Sequence, residues 1–545
     1  FARCSSCSNL FAFAPQPHSS PPWSSPMADA DASPGFVALS YNILAKSLGS
    51  NCIPWVMTAG PSFREAVEGA TGKSWKDWKV AEIVPEYGKH FHKNMASGYY
   101  PTMREFWSAR TCNSQADIPA CLTGISFAGP DQVAYIDAAS GQRILCSTLR
   151  GLLCAKLPAD GLGEKLFAHL VEAEEQVYAW AARGPRLFRD ITASRELMAA
   201  GHPAAGGRAD VVMLQEYDAL PAEADYRGIG QQESFVAAMS AMGYAHVLFQ
   251  EANLARKDPS GLGLFWNTKT FEFAGHPSSG HVEVACGSSI GESAHNVDLM
   301  EHWHRCDRSS ADGRGVRELM NVADRRNLAM ARLRHRASGQ AVWAVTCHLM
   351  TTSRDSAKTN EYPGEVRAGE LRAVREVLRA RVPPGEAVIF AGDFNTDARE
   401  LTVFEGRLKS TATGELLEVP TGFVASDGGC SRALEWHAGE ASLRMREALE
   451  PIHQWGAGVG PAGAAGGHCT STNAERTDWI DYLWYSEGLL EPVALGDLRT
   501  PSSPIPDRQH GSDHLPIAAR FEFRTVPEPS WSVWQACCFR GNPYV

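Results

Sequence analysis

The chain has 545 residues, a length that would accommodate about three or four domains. It is 44% hydrophobic and 21% charged, an ordinary globular make-up, and no apolar run approaches the roughly 18 residues of a membrane-spanning helix. Its net charge of −11 has the wrong sign for a protein that coats a long polyanion. An enzyme that holds one or two phosphates through a metal cation stays compatible, because the cation brings its own charge.

The first residue is Phe1 rather than methionine, as expected of a fragment at its N-terminus. Residues 1–34 are rich in Ser, Pro and Ala and hold no Asp or Glu before Asp29. They read either as the remnant of a transit peptide or as a disordered leader. Fourteen cysteines are too sparse for a disulfide scaffold, and neither Cys4 with Cys7 nor Cys537 with Cys538 has a second pair at zinc-site spacing. Reduced thiols suit a cytoplasmic location, or an organellar one if the leader is a transit remnant.

From Phe36 onward, short apolar runs recur at 37–42, 209–216, 341–348, 387–395, 479–485 and 517–523. Runs of this kind fit strands buried on both faces, and each lies beside a carboxylate, amide or imidazole. Two more, 261–266 and 327–333, lack a charged end. Between them, 365–381 sets Val366, Leu371, Val374, Val377 and Leu378 on one helical stripe, which Pro383-Pro384-Gly385 stops. Leu166, Leu170, Val177 and Ala181 mark another stripe. The alternation predicts a layered α/β enzyme. Segments at about 45–185, 275–320 and 400–472 read as insertions, and 524–545 as a tail. The third insertion includes 456–467, almost entirely Gly, Ala, Pro and Val.

The strand ends deliver Asn42, Glu216, His348, Asp393 with Asn395, Asp481, and Asp513 with His514. Metal-assisted phosphoester hydrolysis needs this inventory. A hard cation takes one or two carboxylates and keeps several waters. The phosphate must be polarised and a water deprotonated and aimed. Amides and imidazoles bind phosphate oxygens without adding repelling charge. Asp478 precedes Asp481 by three residues, which on one strand means opposite faces, so Asp481 is the candidate and Asp478 faces solvent or an ion pair.

Six motifs carry a family resemblance. They are Ser-Tyr-Asn-Ile-Leu-Ala at 40–45, Leu-Gln-Glu at 214–216, Thr-Cys-His-Leu at 346–349, Gly-Asp-Phe-Asn at 392–395, Ile-Asp-Tyr-Leu-Trp-Tyr-Ser at 480–486 and Ser-Asp-His-Leu-Pro-Ile at 512–517. In this order they resemble the endonuclease/exonuclease/phosphatase superfamily, with wording most similar to its CCR4/nocturnin-type deadenylase branch. The resemblance implies a four-layer α/β sandwich, two central mixed sheets flanked by helices in the DNase I-like manner. It also implies a Mg²⁺-dependent phosphodiesterase, with Mn²⁺ as a substitute cation, acting as a 3′–5′ exoribonuclease. Glu216 would be the principal metal ligand, with Asn42 and Asp513 beside it. Asp393 would orient or deprotonate the attacking water, or protonate the leaving oxygen. Asn395 and His348 would hold phosphate oxygens. His514 would contact the scissile phosphate, with Asp481 setting its tautomer. Arg367, matching an arginine of the branch, is a substrate-binding candidate.

The chain departs from that branch where the base or leaving-group pocket is shaped. His348 is followed by Leu349-Met350-Thr351-Thr352-Ser353 instead of Trp and Pro, and the helix reads Val366-Arg367-Ala368-Gly369-Glu370 without the usual Gln. A small phosphorylated substrate (a nucleotide cofactor, phosphoinositide or lipid) is therefore the competing expectation to an RNA 3′ end. A non-catalytic scaffold is the third, weakened because every position needed for metal, water and phosphate holds a competent residue. No leucine-rich repeat precedes the motifs, so that route into a deadenylase complex is not expected.

Other clusters have plainer readings. His302-Trp303-His304 with Cys306 reads as a surface loop rather than a metal site. Trp75, Trp78, Tyr99, Tyr100 and Trp107 would either stack bases or pack the first insertion. Arg332, Arg334, His335 and Arg336 would either track phosphates or end a strand before a turn.

Overall fold

The first strand shows why apolar runs become strands in this protein. In β1 (Gly35–Asn42), Phe36 and Ala38 enter one core cluster while Val37, Leu39 and Tyr41 enter another. A segment covered on both faces has no position left for an exposed polar side chain until its end. The computed structural model describes residues 35–44, 59–74, 114–118, 125–136, 141–173, 176–177, 180–200, 208–217, 235–250, 261–274, 282–299, 302, 326–349, 363–395, 407–409, 416–418, 445–449, 469–472, 477–498, 500–502 and 505–524. Both the expected leader and residues 525–545 of the expected tail lie outside these.

After β1 come α1 (Pro61–Thr71), a three-stranded sheet of β2 (Ile125–Gly129), β3 (Gln132–Ile136) and β4 (Arg143–Ser147), then α2 (Leu149–Lys156) and α3 (Leu162–Ala173). Leu166 and Leu170 are buried on α3, whereas Val177 lies past its end, so the stripe expected there is divided. Next are α4 (Trp180–Ala193), α5 (Arg195–Ala200), β5 (Val211–Tyr217), α6 (Phe235–Ala241), β6 (Tyr244–Phe249) and β7 (Gly261–Asn267). Short strands follow: β8 (Phe271–Phe273), β9 (Val282–Val284), β10 (Ser289–Ile290) and β11 (Ala294–Asp298). Then come β12 (Asn327–His335), β13 (Ala341–His348), α7 (Pro363–Arg381) and β14 (Ala387–Asp393). The remainder holds β15 (Arg407–Lys409), β16 (Leu416–Glu418), β17 (Met445–Glu447), β18 (Ser471–Thr472), β19 (Thr477–Asp478), β20 (Asp481–Ser486), β21 (Leu490–Leu495) and β22 (Ile517–Phe523).

Two mixed sheets form the body. One runs β21-β22-β1-β5-β7-β6-β9, the other β10-β11-β12-β13-β14-β20-β17 with β8 paired to β12. A single apolar cluster joins them, from Phe36, Val211 and Met213 of the first to Trp343, Phe390 and Trp484 of the second. On the other face of the first sheet, Leu187 and Ile191 of α4, Leu197 of α5 and Met239 of α6 cover Leu39, Val212 and Leu214. Leu371, Val374, Val377 and Leu378 of α7 join the central cluster. The result is a layered α/β sandwich of two mixed sheets with helices outside them.

Residues 282–298, within the segment expected as a second insertion, extend both sheets as β9, β10 and β11. Their strands are short and one reads Ala-His-Asn-Val-Asp, so no apolar run announces them. Likewise β17, inside the third expected insertion, adds an edge to the second sheet. Among the described residues no helix is long and apolar enough to cross a membrane.

Candidate active site

Strand direction gathers the polar ends. β1 is parallel to β5 and β13 is parallel to β14, so Asn42, Glu216, His348 and Asp393 all come at or near C-terminal strand ends. β20 is antiparallel to β14 and β22 to β1, which returns the start of β20 and the approach to β22 to that same edge. His348, Asp393 and Asp481 are direct neighbours in the ladder, His348 opposite Asp393 and Asp393 opposite Asp481. Cross-strand neighbours share a face, so three functional side chains stand in a row.

The first sheet reaches the row by a different device. Asn42 pairs with Gln215, and a register shift between Leu214 and Tyr217 inserts one extra residue into β5. Such a bulge re-aims a side chain. Glu216 sits in it with φ 54°, in the left-handed region. Leu44 (φ 59°) and Asn395 (φ 51°) share that conformation, so three of the five non-glycine residues with positive φ among the described residues flank this site. Each such backbone costs on the order of 1–3 kcal/mol and persists only where its surroundings over-determine it.

The side chains converge on one carboxylate. Asn42 Nδ2 donates to Asp393 Oδ2 at 3.0 Å and to Glu216 Oε1 at 3.1 Å, while its Oδ1 accepts from the Leu44 amide at 3.0 Å. Asn42 thus joins two like-charged carboxylates through a neutral donor, a bridge rather than an oxygen turned outward. His348 Nε2 and His514 Nε2 each lie 3.6 Å from Asp393 Oδ2. Asp393 Oδ1 accepts the Asn395 amide at 2.8 Å, and Asn395 Nδ2 donates to the Leu349 carbonyl at 3.0 Å. That amide nitrogen carries two hydrogens, and Leu349 takes one of them.

His514 Nδ1 meets Asp481 Oδ2 at 2.8 Å. Burial pulls the imidazole pKa down, but the carboxylates of Asp481, Asp513 and Asp393 outweigh it and push it up to about 10. These carboxylates favour the charged form of the ring, whose Nε2 faces Asp393. Asp513 Oδ1 lies 3.9 Å from that Nε2. Potential ligand atoms of Glu216, His348 and Asp393 lie within 4.8 Å of one another, as do those of Asp393, Asp481 and His514. Glu216, with 14% of its side chain exposed against 2% for Asp393, is the more open carboxylate. A carboxylate-rich set with one open member fits a hard divalent cation that keeps part of its water.

Arg367 stands on a helix rather than at a strand end. It is fully buried on α7, one turn before Glu370, also fully buried. Burial, then the Glu370 charge, holds the Cys347 thiol well above its ordinary pKa. Cys347 alternates with His348 and so points to the opposite face of β13. Asp478 is exposed on β19, while Asp481 is buried on β20.

Several supporting residues carried no chemical signal in the sequence. Gln215 Nε2 donates to Ser40 Oγ at 3.1 Å and to Thr346 Oγ1 at 2.8 Å, tying the two sheets together beside the site. Thr470 Oγ1 accepts from the amides of Ile480 and Asp481 at 2.9 and 3.0 Å, although it falls in a segment expected as an insertion. Ser512 Oγ donates to the Asn42 carbonyl at 2.6 Å and accepts the His514 amide at 3.2 Å. Of these, Ser40, Gln215, Thr346 and Ser512 lay inside motifs whose neighbours were singled out, and only Thr470 lay outside them.

Of the other clusters, the arginine patch is structural. Arg332 pairs with Glu386, which also accepts from Trp343 Nε1 at 2.8 Å, and Arg336 meets Glu272 at 3.0 Å. Trp75, Trp78, Tyr99, Tyr100, Trp107, Trp303, His304 and Cys306 lie outside the described residues.

Among solved structures, the chain is similar to ANGEL2, a 2′,3′-cyclic phosphatase, in complex with adenosine-2′,3′-vanadate, at 16% identity and TM-score 0.38 over 64% of this chain and 88% of that one. It is also similar to the human nocturnin catalytic domain with bound sulfate, at 17% identity and TM-score 0.34 over 63% and 87%. A humanised D. rerio TDP2 gives 17% identity and TM-score 0.29 over 57% and 85%. Comparison with curated proteins finds no significant match. The profile of the Endonuclease/Exonuclease/phosphatase family matches residues 181–514, more than half the chain. With that match, on a sandwich whose polar strand ends meet at one edge, the chain belongs to the endonuclease/exonuclease/phosphatase family, whose members are phosphoester hydrolases.

Proposed function

We propose that the chain is a Mg²⁺-dependent phosphodiesterase that removes nucleotides from the 3′ end of RNA, with residues 36–523 as its catalytic unit. The convergence of Asn42, His348 and His514 on Asp393 Oδ2 carries the hydrolytic part of this reading. The motif wording supports RNA as the substrate.

Glu216, with Asp513 beside it, would hold the cation, which supplies a Lewis acid for the phosphate and lowers the pKa of water. Asn42 holds Glu216 at a set distance from Asp393. Asp393 takes a proton from the attacking water or returns one to the leaving oxygen at Oδ2. His348 and Asn395 donate to the non-bridging phosphate oxygens, and His514 presents its positive charge to the scissile phosphate. Asp481 keeps that imidazole turned, a role in which the carboxylate never meets the substrate.

The test is hydrolysis by the full chain, with and without Mg²⁺, of a 5′-labelled oligo(A), a mixed-sequence RNA and a panel of nucleotide phosphates, beside Glu216→Ala. A ladder of shortened RNAs that requires both Mg²⁺ and Glu216 is the expected outcome, and the oligo(A)-to-mixed ratio reads base preference. Phosphate release from a small molecule with RNA untouched would replace the RNA reading. The altered segment 349–353 is where such a preference would arise.

A further inference from the structure

α4 carries arginines at 183, 186 and 189, and each ends on main-chain carbonyl oxygens. Arg183, buried to 2% exposure, donates from Nη2 to the Ile43 carbonyl at 2.8 Å and to that of Leu44. Those are the two residues directly after Asn42. Arg186 donates from Nη1 to the Asp507 carbonyl at 2.8 Å, and its Nη2 bonds to the Gln176 carbonyl. Arg189 donates to the Gln509 carbonyl and, at 3.0 Å, to the Asp190 carboxylate. Asp507 and Gln509 belong to the segment that runs into Ser512, Asp513 and His514. One helix therefore grips two of the segments that the first sheet's side contributes to the site, the end of β1 and the approach to β22.

Two independent observations bear on how that segment is held. Gly511 rests directly on α4, since a Cβ there would stand 2.9 Å from both Cγ and Cδ2 of Leu187. A solvent-open pocket of about 550 Å³ is bordered by Tyr41, Asp190, Asp507, Gln509, His510 and His514. The segment is held on one side by Ser512 on the Asn42 carbonyl and by bonds to Thr470 and Thr472, and on the α4 side by the guanidinium bonds and the Gly511 contact. The Tyr41 hydroxyl donates to Asp190 at 3.0 Å, which completes a chain from the residue before Asn42 through Asp190 and Arg189 to Gln509.

The geometry points to α4 as a clamp that, together with the Ser512–Asn42 hydrogen bond, sets the separation of Asn42 from the Ser512–His514 turn, with Arg183, Arg186 and Arg189 as positioning residues. The clamp stands on the contacts alone, and its catalytic consequence rests on the hydrolase reading. A guanidinium spreads several fixed donors over a plane and so can span two carbonyls, whereas lysine offers a point charge. Arg→Lys is then a disruptive change here.

The experiment uses the full chain carrying Arg186→Lys with Arg189→Lys, Gly511→Ala, or Arg508→Ala as control. Arg508 touches Glu172 from the same segment, but in a solvent-exposed pair. Amide hydrogen exchange over 505–514 is measured with Mn²⁺-supported turnover of bis(p-nitrophenyl) phosphate, and a thermal midpoint reports folding. Exchange over 505–514 should rise about tenfold in the double variant and in Gly511→Ala, as expected when a local closing interaction is lost. Turnover should fall about tenfold with KM changed less than about threefold, because misplacement harms the reacting geometry more than binding. Arg508→Ala should move neither. Unchanged exchange overturns the clamp whatever the activity. Raised exchange with unchanged kcat overturns the positioning role. If the wild type hydrolyses nothing, the hydrolase reading fails, and the exchange result alone upholds or overturns the clamp. Should the double variant not fold, Arg189→Lys at a half-exposed side chain carries the same measurement.

Discussion

The two sheets supply the site in opposite ways. On the second sheet, His348, Asp393 and Asp481 are consecutive partners across β13, β14 and β20. Neighbouring strands lie about 4.8 Å apart, so the hydrogen-bonded ladder itself sets the spacing of that row. On the first sheet, Asn42 and Glu216 are not register partners. They meet through a bulge and two left-handed residues, and Arg183 of α4 bonds the carbonyls just after Asn42. One half is carried by periodic backbone and resists change unless the ladder breaks. The other half is strained locally and held from outside, so it depends on side chains far from the chemistry.

Breaking the row at its centre should have the largest effect. Asp393→Asn keeps the shape but removes the proton acceptor, and hydrolysis should fall by about 10³-fold, as for loss of an acid–base group. Turnover with a circular-dichroism check of folding reads this, and a loss below tenfold would remove Asp393 from the chemistry. Next comes the ladder. A Cβ at Gly392 would lie 2.0 Å from the Cys347 carbonyl oxygen in the adjacent strand. Gly392→Ala should therefore destabilise the fold by about 3 kcal/mol, the upper range of overpacking, in urea denaturation. The corresponding change on the first sheet, Glu216→Gly, removes the left-handed strain and should leave stability equal or higher while abolishing metal-dependent activity. Stability lost in Glu216→Gly would mean that the bulge is not strained as its φ implies.

Asp481→Asn tests the orienting part of the row. It should lower turnover by about 10–100-fold, the usual cost of losing the partner that aims an imidazole, with little change in KM. The smallest effect concerns a histidine away from the site. Burial among Phe36, Phe271 and Phe523 lowers the His335 pKa below its ordinary value. The unfolded chain then binds the proton more readily than the fold does. Its contribution is fully present above the unfolded value of about 6.5 and is lost as pH falls through the lower folded value. His335→Phe should flatten that part of the stability curve, measured as thermal midpoint against pH.

Much of the arrangement was legible in the chain. Runs such as 341–348 and 387–393 are apolar throughout and end in a polar group, so both strand and candidate could be named together. The helix at 365–381 was legible for the same reason, a regular stripe with a clear stop. What escaped was polar or short. β11 reads Ala-His-Asn-Val-Asp and owes its strand state to pairing with β12. Thr470 holds Asp481 through a hydroxyl that nothing local distinguishes from a loop threonine. Arg367 stood in its motif as a substrate-binding candidate, and its complete burial on α7, one turn before Glu370, was not legible there.

By itself the sequence determined the layered α/β class, the strands with both faces buried, and the order of Asn42, Glu216, His348, Asp393, Asp481 and His514, because those follow from local hydrophobic pattern and residue chemistry. The tertiary structure alone decided that Asn42 bridges two carboxylates, that Gln215 ties the sheets, and that three arginines of one helix hold two distant segments. Those contacts join residues separated by up to 351 positions. Their geometry depends on register, bulge and helix phase, which no local pattern encodes.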